Sequence, residues 1–200
     1  MLKNELISAG VEMDIIEFLA EYGVLLVHFS GAEGAEPYHK QYPRNLQAAC
    51  RQRFDLCCST IGPDEKQFAW GYIGLIVKPD GIGSIKGCDP SDFGSSRQED
   101  LSIEVQPKYQ MVNRETLQDS ITKRGDMNEW VVSGYSIVGI YIADLVACSP
   151  LVWGSVTSEL AANFPGLPVY TSFLDRFVKY TGPISTEAVA VRDIYAFEVI

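Results

Sequence analysis

Long apolar runs are missing from this chain. The longest, Val24 to Val27 and its neighbours, is far too short to cross a bilayer. The first residues, Met1-Leu-Lys-Asn-Glu, lack the basic-then-apolar layout of a signal peptide. The expectation is a cytoplasmic protein with no membrane partner. Histidine is also scarce, with His28 and His39 alone, and no C-x-x-C pair occurs, so a His/Cys zinc cluster has almost nothing to build from. The five cysteines are odd in number, and Cys57 and Cys58 are adjacent, which argues against a disulfide framework. Cys57, Cys58 and Cys148 lie in apolar runs and read as reduced, buried side chains. Basic residues fall short as well: 16 Lys and Arg against 26 Asp and Glu give a net charge of −10, which disfavours strong, sequence-indifferent binding of DNA or RNA. The one basic cluster, Lys40, Arg44, Arg51 and Arg53, reads as a solvated helix face.

What is present belongs to an ordinary globular protein. A hydrophobic fraction of 46% with 21% charged residues over 200 residues suits one domain with one core, and no linker or internal repeat divides the chain. Val11, Ile15, Phe18, Leu19 and Tyr22 share one face at helical spacing, and Gly23 is a natural stop. Residues 1–23 are therefore expected as an N-terminal helical extension. Val24 to Phe29 reads as a buried strand, Arg44 to Phe54 as a helix, and Leu56 to Ile61 as a strand ending in the turn Gly62-Pro-Asp-Glu. A long strand is expected over Phe68 to Val77, then a loop from Lys78 to Gln98 with room for one short strand. Leu101, Ile103 and Val105 alternate as a strand does, and Asn113 caps a helix through Leu117 and Ile121. Strands follow at Glu129 to Ser133 and Ser136 to Ile142. The remainder reads as a helix over Ser155 to Asn163, a strand over Leu167 to Thr171, helical turns over Ser172 to Tyr180 and a terminal strand over Ala190 to Ile200. Without regular strand-helix-strand alternation, the fold class is α+β with mostly antiparallel pairing.

Each motif has a bland reading beside the chemical one. Gly81, Gly83 and Gly87 follow a strand, where a dinucleotide loop would stand, but Gly87-Cys-Asp-Pro90 prevents the helix that such a loop needs, so a glycine-rich hairpin or loop is expected. Asp89, Asp92 and Phe93-Gly-Ser-Ser-Arg97 form a polar cluster able to hold a phosphate or simply to be a solvated loop. His28 ends an otherwise apolar strand just before Ser30, a position that lines a site or completes a hydrogen bond at the core edge. Glu129 opens a strand against Trp130, Val131 and Val132, where a carboxylate is costly unless paired or hydrogen-bonded. Arg124 and Asn128 are near enough in sequence to serve it, and an edge salt bridge between Arg124 and Glu129 is the structural alternative.

Taken in order, Val27-His28-Phe29-Ser30, Asn45-Leu46, Arg124, Asn128-Glu129-Trp-Val-Val and Tyr135-Ser-Ile-Val-Gly-Ile140 resemble the ADP-ribosyltransferase fold, in particular its DarT-like branch. The resemblance covers roughly residues 24 to 171, with Phe68 to Tyr72 nearest to the family's aromatic motif. It implies a mostly antiparallel split sheet with flanking helices, and NAD as the substrate. It also implies a macromolecular acceptor, protein or nucleic acid, for the transferred ADP-ribose, in a toxin or defence effector. By the same resemblance Glu129 and Arg124 are the catalytic candidates, and His28, Ser30, Asn45 and Tyr72 the NAD-binding ones. His28 and Glu129 should then meet at one cleft. Two other readings stay open. One is a non-catalytic acidic binding protein, immunity- or antitoxin-like, matched to a basic partner. The other is a Mg²⁺-dependent hydrolase or nuclease using Asp89, Asp92, Glu99 and Glu104.

Overall fold

The computed structural model describes residues 13–29, 55–64, 73–90, 112–123, 128–143, 158, 160–182 and 184–198. Its first helix, α1 (Ile15–Glu21), starts where the Asp14 carboxylate accepts from the Ile16 and Glu17 amides at 2.8 and 3.3 Å. It stops at Gly23, whose φ of +64° is the left-handed conformation that ends helices. Ile15, Phe18 and Leu19 are buried, so α1 is part of the core rather than an appendage.

Among the described residues the strands form one sheet: β1 (Leu25–Phe29), β2 (Leu56–Ile61), β3 (Ile73–Pro79), β4 (Ile85–Asp89), β5 (Glu129–Val132), β6 (Tyr135–Ile142), β7 (Val169–Ser172), β8 (Phe177–Tyr180) and β9 (Ile184–Ala188). Their order is β4-β5-β2-β1-β3-β6-β7-β8-β9, antiparallel throughout except for the parallel pair β6 and β7. With helices beside it, this is an α+β fold with a mostly antiparallel sheet. Helix α2 (Arg114–Thr122) opens on a capping box between Asn113 and Thr116. Its Arg114 pairs with Glu21 of α1 at 2.6 Å and lies over the Phe18 ring. A further helical stretch covers 160–163. Helix α3 (Val191–Tyr195) packs on α1, where Arg192 pairs with Glu17.

β2 is the strand on which the sheet turns. Its C-terminal half pairs with β1 (Leu25 with Ile61, Leu26 with Thr60, Val27 with Ser59), and its N-terminal half pairs with β5 on the other side (Leu56 with Val132, Cys57 with Val131, Cys58 with Trp130). The ladder therefore forks at the middle of β2. Close approach elsewhere holds β1 to β3: a Cβ on Gly74 would lie 2.5 Å from Val27 Cγ1 and 2.9 Å from the His28 carbonyl oxygen. Only glycine fits there.

Three expectations are corrected. Ser172 to Tyr180 is not helical: Leu174 and Asp175 take φ of 48° and 57° in a tight turn, and the chain returns as β8. Ala190 to Ile200 holds α3 rather than a strand, because Val191, Ile194 and Tyr195 fall on one buried helical face. Cys57 is exposed, since alternation along β2 turns it away from the core that takes Cys58. The loop after β3 does contain one short strand, β4, and no helix follows Gly81 and Gly83 beyond a single 3₁₀ turn at Ile82–Ser84. The strand expected at Leu101 to Val105, the helix from Arg44, and Cys148 lie outside the described residues.

Candidate functional site

His28 and Glu129 stand on β1 and β5, the two strands flanking β2, at the height where the ladder forks. In the extended register His28 is level with Cys58 and Glu129 with Ser59, one residue apart along β2. Strands neighbour each other at about 4.8 Å, so the two backbones run roughly 10 Å apart.

Beyond Val27 and Ser59, β1 and β2 no longer pair, and the His28 ring occupies the opening. Its Nδ1–H donates to the Cys57 carbonyl at 2.8 Å, taking the place of a main-chain ladder bond. A carbonyl only accepts, so Nδ1 carries the proton. Burial lowers the imidazole pKa below its usual 6.5, outweighing the Cys57 bond that raises it, so the ring is neutral and Nε2 is an acceptor. Strict alternation assigns Glu129 to the face of Ser59, Cys57 and Val131, and assigns His28 to the face of Cys58 and Trp130. Because the His28 ring bonds sideways to the β2 backbone, it lies in the fork between β1 and β2. The register thus turns the two side chains to opposite faces of the sheet, and the single cleft expected to join them is not formed by these two residues alone.

On the β5 side a second side chain replaces the ladder. The Thr60 amide donates to Asn128 Oδ1 at 2.9 Å, while Asn128 Nδ2 donates to Thr60 Oγ1 at 2.6 Å and to the Ser120 carbonyl of α2 at 2.8 Å. The Asn128 carbonyl accepts from Ser59 Oγ at 2.8 Å. Next along β5, Trp130 Nε1–H donates to Ser120 Oγ at 2.8 Å. Asn128, Thr60, Ser120 and Trp130 are all buried, and the Asn128 amide uses its acceptor and both donors within the cluster. The Asn128 amide is thus directed at Thr60 and Ser120 and not at Glu129, contrary to the sequence expectation.

Asp89, the last residue of β4, lies directly opposite Glu129, and both are half-buried. Two carboxylates on one face concentrate negative charge at the fork. Burial pushes the Cys58 thiol well up, with the charges of Cys57 and Glu129 adding to the shift, so Cys58 is an inert core thiol. On the opposite side of β1, the Leu26 amide donates to the Tyr195 hydroxyl of α3 at 2.8 Å, two residues from His28. Burial raises the Tyr195 pKa, partly countered by that bond, and keeps the phenol protonated.

Of the residues expected at the site, His28 and Glu129 stand on the opposite flanks of one strand, one residue apart along it and on opposite faces of the sheet, whereas Arg124, Ser30, Asn45 and Tyr72 lie outside the described residues. Asp92, Arg97, Glu99 and Glu104 lie outside them too, and among the described residues no three His, Cys, Asp or Glu side chains gather as metal ligands. Tyr195 gave no sequence signal, being one of several aromatics near the chain end. Asn128 did carry one: an amide directly before an apolar strand. No helix among the described residues is long and apolar enough to cross a membrane. The chain matches no family model, no curated protein and no solved structure.

Proposed function

We propose that the protein is an NAD-dependent ADP-ribosyltransferase that moves ADP-ribose to a macromolecular acceptor, as in a toxin or defence effector. The observation that supports this reading is the fork at β2, where His28 and Glu129 stand at one height on the two flanking strands, one on each face of the sheet. In this reading the Glu129 carboxylate accepts a hydrogen bond from a hydroxyl of the nicotinamide ribose. Nicotinamide departs with the electrons of its glycosidic bond, and positive charge develops on the ribose. Glu129, with Asp89 opposite it, supplies the fixed negative charge that favours that state. The acceptor's nucleophile then attacks the anomeric carbon and loses its proton. The neutral His28 offers Nε2 as an acceptor for a hydroxyl of the adenosine ribose. Ser30, Asn45, Tyr72 and Arg124 are the further contacts that the resemblance implies.

Glu129→Gln keeps the size of the side chain and removes its charge. We expect it to lower NAD consumption on the order of 10²-fold or more while the melting temperature stays unchanged. Consumption at the wild-type rate would end the assignment. The net charge of −10 favours a second reading, a non-catalytic protein that binds a basic partner. NAD separates the two: a ligand of the native state raises the melting temperature with concentration, and a binding protein of the second kind shows no such rise.

A further inference from the structure

Glu129 is flanked in sequence by two residues that both reach the same serine. Asn128 Nδ2 donates to the Ser120 carbonyl, and Trp130 Nε1 donates to the Ser120 hydroxyl, which in turn donates to the Leu117 carbonyl at 2.7 Å. Ser120 belongs to the last turn of α2, where helix carbonyls run out of helical donors. The registered β2–β5 ladder stops at Cys58 and Trp130, one residue before Glu129 would pair with Ser59. On the β4 side the register continues to Asp89 and Glu129; on the β2 side the Asn128 side chain takes over, meeting Thr60 as acceptor to its amide and donor to its hydroxyl, while the Ser59 hydroxyl bonds the Asn128 carbonyl.

We infer that Asn128 is the positioning residue for Glu129: on the β2 side it replaces the ladder that stops at Trp130 and, with the β4 pairing on the other side, fixes the backbone from which the carboxylate projects. As a contribution to catalysis this rests on the transferase reading; as a statement about where Glu129 points it does not. The role demands an amide. One acceptor is needed for the Thr60 N–H, and two donors are needed at once, for Thr60 Oγ1 and Ser120 O. Aspartate offers no donor and would set a charge against the Ser120 carbonyl, and alanine offers nothing. The fork is thus held on both sides by side chains, His28 toward β1 and Asn128 toward β5, with the candidate carboxylate next in sequence to the second.

The test is carbon-13 NMR of the labelled Glu129 carboxyl, assigned with Glu129→Gln, in the wild type, Asn128→Ala and Val178→Ala. Val178 is buried in β8 on the far side of the sheet, so its variant controls for lost stability alone. Asn128→Ala should shift or broaden the Glu129 signal and, with NAD as substrate, lower kcat on the order of 10²-fold while KM changes less than about threefold. Val178→Ala should leave the signal in place. Thr60→Val, which removes only the hydroxyl acceptor, should move the signal in the same direction by less, and it serves if Asn128→Ala does not fold. A Glu129 resonance unmoved by these substitutions, or moved equally by Val178→Ala, would overturn the inference. A wild type that neither binds nor consumes NAD defeats the transferase reading by itself, while the resonance still decides whether Asn128 aims Glu129.

Discussion

The pair β3 and β6 and the two junctions of β2 are built on opposite plans. β3 and β6 run in register from Ile73–Ile142 to Pro79–Tyr135 with a single bulge, and their facing side chains are almost all apolar. Main-chain bonds join these two strands along their whole paired length. β2 has only three registered pairs on each side, in different halves of the strand, and polar side chains step in where each ladder stops. His28 takes the Cys57 carbonyl, and Asn128 takes the Thr60 amide. The same rule explains Tyr195: the β1–β3 register ends at Val27–Ile76, level with the bulge of β6 at Val138, and the Leu26 amide turns to the Tyr195 hydroxyl. Where the backbone satisfies itself, the sheet is only a scaffold. Where it does not, side chains with chemical capacity accumulate, and both candidate residues are found there.

This contrast can be broken most sharply at Tyr195. Tyr195→Phe leaves the β3–β6 ladder untouched but strands a buried Leu26 N–H, and we expect a loss of about 1–3 kcal/mol in urea unfolding with faster hydrogen exchange at Leu26. Unchanged stability would mean that the side-chain substitutes are decorative. A smaller effect of opposite sign is expected away from the fork. Leu174 and Asp175 both hold positive φ in the β7–β8 turn, which suits Asn and Gly, so Leu174→Asn with Asp175→Gly should raise stability by about 0.5–1 kcal/mol and leave NAD binding alone. A fall in stability would show that the turn tolerates its present residues without strain.

The smallest effect is a pH slope. Burial lowers the His28 pKa below 6.5, so on acidification the unfolded chain takes up this proton before the folded one. Stability due to His28 is complete above 6.5, declines as pH falls below it, and stops declining once the folded ring is protonated too. His28→Gln should flatten that part of the profile, and a slope unchanged in the variant would assign it to other groups.

Much of the architecture was legible in the sequence because local signals agreed with burial. Asp14 and Gly23 bracket α1, Asn113 caps α2, and the apolar runs at 25–29, 56–61 and 137–142 became strands. The chain end misled. Val191, Ile194 and Tyr195 are strand-forming residue types, yet their three- and four-residue spacing suits one helix face against α1, and packing overrode propensity. The β7–β8 turn carries neither Asn nor Gly at its two positive-φ positions, so β8 was hidden and β9 after it went unread. At the site, His28 and Glu129 stood out as polar residues at the ends of apolar runs. That β2 would lie between them is a matter of long-range register, which no local pattern encodes. The partners of Asn128 were illegible for the same reason, since Thr60 is 68 residues away.

An NAD titration of isotope-labelled protein, followed residue by residue by NMR, tests the proposed site most directly. Saturable shifts centred on His28, Cys57 and Glu129, the residues around the fork of β2, are expected, with their loss or weakening in Glu129→Gln. An absence of shifts up to millimolar NAD, or shifts confined to β7, β8 and β9, would contradict it.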